Sequence, residues 1–205
     1  MTGVQTCALP IWYVASQFVH LHLHTQYSLL DGANQLTPLL NQVRHFGQPA
    51  VAMTDHGNMF GAIDFYQAAQ NRGLKPIIGC ETYIAPGSRL DKKASSARDA
   101  AFHLVLLAKD QVGYRNLIQL VTSAHLDGFY YKPRIDKDLL AQHSTGLIAL
   151  SSCLKGEVAS ALKIEQARPA LEAAARLRDI MGQNNFFLER SEEHTSELQS
   201  HVRIS

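Results

Sequence analysis

The sequence has few cysteines, no long apolar run and almost no net charge. Its 205 residues include only three cysteines, Cys7, Cys80 and Cys153, an odd and sparse set that argues against a disulfide framework and for a reducing compartment. No apolar stretch reaches the roughly 20 residues of a membrane-spanning helix, and residues 1–11 lack the basic and apolar regions of a signal peptide. We therefore expect a cytoplasmic protein without membrane association.

The near balance of charge limits the choice of partners. Lysine and arginine together number 19, aspartate and glutamate 18, and the net charge is +1. Such a chain has no basic field that would by itself indicate nucleic-acid binding, so most phosphate contacts to a nucleic-acid substrate would have to come from elsewhere. Hydrophobic residues make up 46% of the chain, which is enough for one sizeable core in a single domain.

Both ends of the chain differ from its middle. Residues 1–15 show neither helical nor strand periodicity, and residues 190–205 are polar, an abrupt change from the apolar run that ends at Glu189. Both ends resemble translated sequencing-adapter read-through, although the tail could also be an ordinary disordered segment. We expect residues 1–15 to be a non-native leader, 16–189 an incomplete native domain and 190–205 a non-native tail.

What the middle does contain is an alternation of imidazole and apolar side chains over residues 18–25. This period of two predicts a strand with one apolar face and one histidine face. The histidine face carries His20, His22 and His24. Imidazoles at positions i and i+2 of a strand end converge on one point, which suits a metal ion, although a single strand-face histidine is more often an ordinary polar residue.

Two later apolar runs also end in metal-ligand residue types. Thr54-Asp55-His56-Gly57 closes one of them and Gly79-Cys80-Glu81 closes the other. We expect Cys80 itself to be a small core residue. Three such clusters at separate strand ends predict a polynuclear hydrolytic site.

Strand and helix patterns alternate along the native segment. Strands are predicted at 18–25, 49–54, 75–78, 102–108, 146–150 and 186–188, and helices at 38–46, 59–71, 112–124, 137–142 and 166–181. Residues 86–101 are typical of an exposed loop. About six strand–helix repeats predict an α/β fold with a parallel sheet, either open or closed into a barrel, and in such folds sites lie at the carboxyl ends of the strands.

Most of the candidate residues fall at those predicted strand ends. They are His22, His24, Asp55, His56, Glu81 and Cys153. His103 departs from the rule because it falls near the start of its strand, so either that strand begins later or an adjacent loop holds the histidine. A structural role stays open for both His103 and Cys153.

Together these motifs are similar to the PHP (polymerase and histidinol phosphatase) family. His22-Leu23-His24-Thr25 combined with Thr54-Asp55-His56-Gly57 is typical of the whole superfamily. The segments at 27–32 (Tyr-Ser-Leu-Leu-Asp-Gly) and 130–136 (Tyr-Tyr-Lys-Pro-Arg-Ile-Asp) resemble the branch found at the N-terminus of bacterial replicative polymerases, the DNA polymerase III alpha subunits. The resemblance runs almost continuously from residue 18 to residue 189.

The resemblance implies a distorted seven-stranded barrel of βα units, here missing its last strands, that holds up to three zinc or manganese ions. The implied metal ligands are His22, His24, Asp31, Asp55, His56, Glu81, His103 and Cys153. His20 would support them without binding metal. Family members complete the site with a late Asp-x-His motif, which has no counterpart in this chain.

Three further implied ligands, besides His103 and Cys153, have a structural alternative. Asp31 could belong to a turn with Gly32, and Asp55 could orient His56 or cap the next helix rather than bind metal. Glu81 could be a solvated carboxylate. The sequence alone leaves these alternatives open.

The implied chemistry is phosphoester hydrolysis, because clustered divalent metals lower the pKa of a bound water and neutralise charge on an attacked phosphate. In a polymerase this would be 3′→5′ removal of a misincorporated nucleotide. The parent protein would also bind DNA and use magnesium at a separate polymerase site that this chain lacks. Its expected partners are the rest of the polymerase chain, a proofreading exonuclease subunit and the sliding clamp.

Two other functions stay open at this point. The domain could be a structural module that stabilises the polymerase and docks a proofreading exonuclease subunit. It could instead be a free-standing PHP phosphatase acting on a small phosphomonoester. The polymerase-type segment at 130–136 argues against the second of these.

Overall fold

The computed structural model describes residues 18–29, 31–93, 96 and 100–190. The predicted leader, and all of the predicted tail after residue 190, lie outside this range. The helices are α1 (Leu36–His45), α2 (Ala62–Gln70), α3 (Gln111–Leu126), α4 (Lys137–Gln142), α5 (Glu157–Lys163) and α6 (Ala167–Met181). The strands are β1 (Ala50–Met53), β2 (Lys75–Ile84), β3 (Phe102–Ala108), β4 (Arg134–Ile135), β5 (Leu147–Leu150) and β6 (Phe186–Phe187).

The strands form one mixed sheet, which confirms the predicted α/β class. Their order is β1-β2-β3-β5-β6, with β4 paired to β2. The β1–β2, β2–β4 and β5–β6 pairs are parallel, whereas β3 is antiparallel to both β2 and β5. The prediction of a parallel sheet is therefore wrong at β3. The described residues between β2 and β3 contain no crossover helix, and a parallel pair needs such a crossover.

The histidine segment does not form the regular strand predicted at 18–25, and the chain bends at His22. It lies along β1, where the carbonyl of His20 accepts from the N–H of Ala52 at 2.9 Å and that of Leu23 from the N–H of Thr54 at 2.9 Å. The N–H of Leu23 donates to the hydroxyl of Thr54 at 2.8 Å. The hydroxyl of Thr54 thus takes the place of a backbone carbonyl as the acceptor for Leu23. The regular backbone hydrogen-bond pattern of a strand is interrupted at this point.

The helices lie close to where the sequence predicts them, and for α3 and α4 a capping side chain explains where the helix begins. Asp110 and Asp136 accept from the N–H groups of Gly113 and Leu139, each at 2.9 Å, and so begin α3 and α4. β2 extends to Ile84, whereas the sequence predicted that this strand ends at residue 78. The patterns miss α5 and β4, which are only seven and two residues long.

Two apolar clusters hold α1–α4 and α6 on the sheet. The larger contains buried residues of α3, α4 and α6 together with β2, β3 and β5. The smaller joins α1 and α2 to β1 around the fully buried Phe65. β2 contributes to both, through Cys80 and Ile78, so the strand that carries Glu81 is anchored by both clusters. None of the described helices is long and apolar enough to cross a membrane.

Candidate metal centre

Glu81 is the central carboxylate of the site. It lies on β2 and is only 1% exposed, so the alternative of a solvated carboxylate is wrong. The Nε2 atom of His24 lies 2.8 Å from its Oε2 atom, and Nε2 of His22 lies 3.1 Å from the same oxygen. Nδ1 of His103 lies 2.8 Å from Oε1. Three imidazoles from two separate parts of the chain therefore meet on one buried carboxylate.

The donor atoms fall into three overlapping groups. Within each group the ligand atoms lie within 4.8 Å of one another: His22–His24–Glu81, His24–Asp31–His56 and His56–Glu81–His103. Because the groups share members, they form one continuous cluster, which we call the histidine–carboxylate cluster. Six of the eight predicted ligands belong to it.

A buried nitrogen without a partner supports the fit of a metal ion to this cluster. Nδ1 of His56 is buried and makes no hydrogen bond, although Oε2 of Glu81 lies 3.1 Å away. Leaving a buried polar atom unpaired costs about 1–3 kcal/mol. A cation bound by the two groups would remove that cost, and imidazole nitrogen with carboxylate oxygen is a suitable donor set for divalent metals.

Asp31 belongs both to a turn and to the cluster. Its N–H donates to the carbonyl of Ser28 at 3.0 Å, as in the turn that the sequence left open. Its side chain is nevertheless directed at the histidines, with Oδ2 2.8 Å from Nε2 of His56 and 3.6 Å from Nδ1 of His24. At 45% exposure it is the most accessible carboxylate of the cluster.

His103 reaches the cluster because β3 is antiparallel. The strand begins at Phe102, as predicted, and His103 pairs with Tyr83 near the end of β2. The start of β3 therefore lies at the same edge as the end of β2, so no later start of the strand is needed. An adjacent loop does hold the residue, as the second alternative predicted, because the N–H of His103 donates to the carbonyl of Lys155 at 3.0 Å. Cys153 lies close enough to His103 for the two side chains to shift each other's pKa, and it stands at the edge of the cluster, outside the three groups.

Two predicted residues lie elsewhere. The carboxylate of Asp55 is fully buried and accepts from the N–H and the hydroxyl of Thr25, at 2.6 and 2.7 Å. It thereby fixes the backbone directly after His24. The ring of His20 packs edge-on against Phe18 with 4.9 Å between ring centroids. Among the described residues, neither Asp55 nor His20 joins a group of potential ligands.

The cluster changes the protonation of its members. Burial by itself would raise the pKa of Glu81, but hydrogen bonds from His103, His22 and His24 hold that pKa far below its usual range. Burial lowers the pKa of His56 to about 4, so this imidazole is neutral near pH 7 and keeps a free lone pair. An ionised carboxylate beside a neutral imidazole is a suitable arrangement for binding a cation.

Sequence motifs did not identify three residues that contact the cluster. The hydroxyl of Ser152 donates to Oε1 of Glu81 at 2.6 Å, and Oε1 of Glu189 lies 2.7 Å from Nδ1 of His22. The ring of Tyr83 stacks on that of His56 at 5.7 Å and 13°. Ser152 and Glu189 follow the predicted strands at 146–150 and 186–188, which was the only signal in the sequence.

Comparison with known proteins agrees with this geometry. The model of the PHP domain matches residues 20–192. The DNA polymerase III subunit alpha of Treponema pallidum is 49% identical over 172 residues, which are 84% of this chain and 15% of that protein. That of Aquifex aeolicus is 46% identical over 181 residues, 86% of this chain and 16% of that protein.

The chain thus spans about one sixth of the length of these curated relatives. Among solved structures, a metal-dependent phosphoesterase from Bifidobacterium adolescentis superposes with a TM-score of 0.39 at 22% identity, over 53% of this chain and 33% of that chain. The family match and the two sequence relatives show that the chain belongs to the PHP domain family.

Proposed function

We propose that this chain is the PHP module of a bacterial replicative DNA polymerase and that its histidine–carboxylate cluster is a metal-dependent phosphoesterase centre. The observation that carries the proposal is the sharing of Glu81 between two of the three ligand groups. The polymerase assignment is supported by relatives at 49% and 46% identity over most of the chain. A free-standing phosphatase has no comparable support.

The metal would be held by the members of the cluster, with Cys153 at its edge. These members are His22, His24, Asp31, His56, Glu81 and His103. We propose up to three ions, zinc or manganese, because a donor set dominated by imidazole suits these metals better than magnesium. When bound, clustered divalent ions supply hydroxide near neutral pH and neutralise the charge on an attacked phosphate.

The exposure of the side chains indicates how a phosphoester reaches the site. The side chains of His22, His24 and His56 are 17–22% exposed, whereas that of Glu81 is 1% exposed. A phosphate therefore meets the imidazole edges first, with the carboxylate beneath them. Asp31 stands at the rim of this opening. The proposed substrate is the 3′ end of a DNA strand, from which a misincorporated nucleotide is removed in the cytoplasm.

Metal content gives the first test. The 205-residue chain is dialysed against zinc or manganese, and bound metal is measured by mass spectrometry. We expect at least one ion per chain in the wild type and none in the His22→Ala/His24→Ala variant. A double variant outside the cluster, His45→Ala/His143→Ala, should keep the wild-type content. A folded wild-type chain without metal would contradict the proposal.

Hydrolysis gives the second test. The metal-loaded chain is incubated with a primer–template that carries a 3′-terminal mismatch and a label at the 5′ end of the primer. We expect metal-dependent shortening from the 3′ end, abolished by a chelator and by His22→Ala/His24→Ala. Bound metal without hydrolysis would instead favour a module that stabilises the polymerase and docks a separate exonuclease subunit. The rest of the polymerase and the sliding clamp are further proposed partners.

A further inference from the structure

The two ring nitrogens of His22 face two different carboxylates. Nε2 lies 3.1 Å from Oε2 of Glu81, within the histidine–carboxylate cluster. Nδ1 lies 2.7 Å from Oε1 of Glu189, on the other side of the ring. The side chains of His22 and Glu189 are only 17% and 15% exposed, so water competes weakly for this contact.

The pairing of β6 with β5 places Glu189 beside His22. The two strands are parallel, with Phe187 opposite Leu150. Beyond them, the N–H of Ser151 donates to the carbonyl of Phe187 at 3.0 Å, and the N–H of Glu189 donates to the hydroxyl of Ser151 at 2.9 Å. Ser151 of the neighbouring chain segment therefore holds the backbone on both sides of Leu188. This fixes the position of Glu189, whose side chain reaches His22.

We propose that Glu189 is a positioning residue that keeps His22 protonated at Nδ1 and leaves the lone pair of Nε2 for a metal ion. The inference rests on the proposed metal site. A metal-binding imidazole carries its proton on the other nitrogen, and a carboxylate acceptor there fixes both the tautomer and the orientation of the ring. Glu189 meets this requirement, because its Oε1 atom faces Nδ1 and not Nε2.

The geometry favours positioning over direct ligation. The Oε1 atom of Glu189 is already engaged by His22, and no ligand group among the described residues includes Glu189. Its Oε2 atom is buried and makes no hydrogen bond. Direct binding through that second oxygen is therefore the competing role that an experiment has to separate from positioning.

Metal affinity is the first measurement. Zinc binding to the 205-residue chain is titrated against a chromophoric chelator for the wild type, Glu189→Ala and Glu189→Gln. We expect zinc affinity to fall about tenfold to a hundredfold in Glu189→Ala at unchanged stoichiometry. The fall should be smaller in Glu189→Gln, whose amide oxygen still accepts from Nδ1. Glu172→Ala, which removes an exposed glutamate on α6, is the matched control and should not change affinity.

The protonation of His22 is the second measurement, and a merely structural role of Glu189 would not change it. Chains with nitrogen-15-labelled histidine are loaded with zinc and studied by NMR. In the wild type we expect a Nδ1 proton on His22 that exchanges slowly with water. In Glu189→Ala the same proton should exchange at least ten times faster, because its carboxylate acceptor is gone.

The outcomes separate this inference from the proposed function. A wild-type chain that binds no metal overturns both. If the wild type binds zinc and the affinities of both variants lie within twofold of it, the positioning role alone is overturned. The loss of one metal ion per chain in a variant would also overturn it, because Glu189 would then be a ligand. Thermal unfolding of each variant is recorded first. If Glu189→Ala does not fold, the isosteric Glu189→Gln decides, with a threefold or greater loss expected.

Discussion

Nδ1 of His56 lies 3.1 Å from Oε2 of Glu81, yet this buried nitrogen makes no hydrogen bond. Two polar groups that face each other without bonding are unfavourable in a folded protein unless a third group binds both. The same carboxylate also faces His22, His24 and His103. Glu81 is therefore the residue on which the integrity of the whole cluster depends.

Replacing Glu81 by Gln should weaken metal binding by the cluster. The amide keeps the size of the side chain but removes the negative charge that two ligand groups share. We expect zinc affinity to fall by at least about tenfold, measured by competition with a chelator. Glu172→Gln on the exposed face of α6 is the control. Wild-type affinity in Glu81→Gln would show that the carboxylate is not a ligand.

Asp55→Ala should reduce stability and leave the metal stoichiometry unchanged. The substitution removes the acceptor of two buried hydrogen bonds from Thr25. Because each bond to a charged group contributes about 1.5–3 kcal/mol, the loss of both should lower the free energy of unfolding in urea by about 3–6 kcal/mol. The control is Asp64→Ala, which removes the acceptor of the Tyr27 hydroxyl at an exposed position. It should change the free energy of unfolding by about 0.5 kcal/mol or less. Loss of metal at wild-type stability would instead make Asp55 a ligand.

Two small substitutions at Ser152 should differ from each other in stability but weaken zinc binding alike. Its backbone has a φ of 63°, a left-handed conformation that costs about 1–2 kcal/mol for a residue with a side chain. Ser152→Gly should therefore be more stable than Ser152→Ala by about 1 kcal/mol in thermal unfolding. Both lose the hydrogen bond to Glu81, so both should bind zinc more weakly than the wild type. Equal stability of the two variants would show that the position is unstrained.

Asp136 should give a pH-dependent contribution to stability. Burial by itself would raise its pKa, but hydrogen bonds from Arg89 and from the N–H of Leu139 lower it below the ordinary 3.8. A lowered pKa in the folded state means that the contribution is present above 3.8 and is lost as the pH falls through the folded pKa. Asp136→Asn should therefore be less stable than the wild type by about 1–2 kcal/mol at neutral pH. In urea unfolding the difference should shrink below about pH 4, and a constant difference would contradict the assignment.

Local patterns predicted most elements and most of the cluster. β3 begins at the predicted residue, and Asp110 caps α3 because a short acidic side chain is a favourable acceptor for the first N–H groups of a helix. His56 lies in the cluster, as predicted, whereas its neighbour Asp55 bonds to Thr25. Successive side chains of an extended segment point to opposite sides, so a motif that names both residues cannot place both in one site.

By itself, the sequence determined the α/β class, the family and the residues that bring imidazole and carboxylate together, because these follow from periodicity and from local motifs. Only the tertiary structure decided the direction of β3, which explains His103, and the contacts of Ser152 with Glu81 and of Glu189 with His22. Those contacts join residues 71 and 167 positions apart. Strand order and register determine which distant residues meet, and no local pattern encodes them.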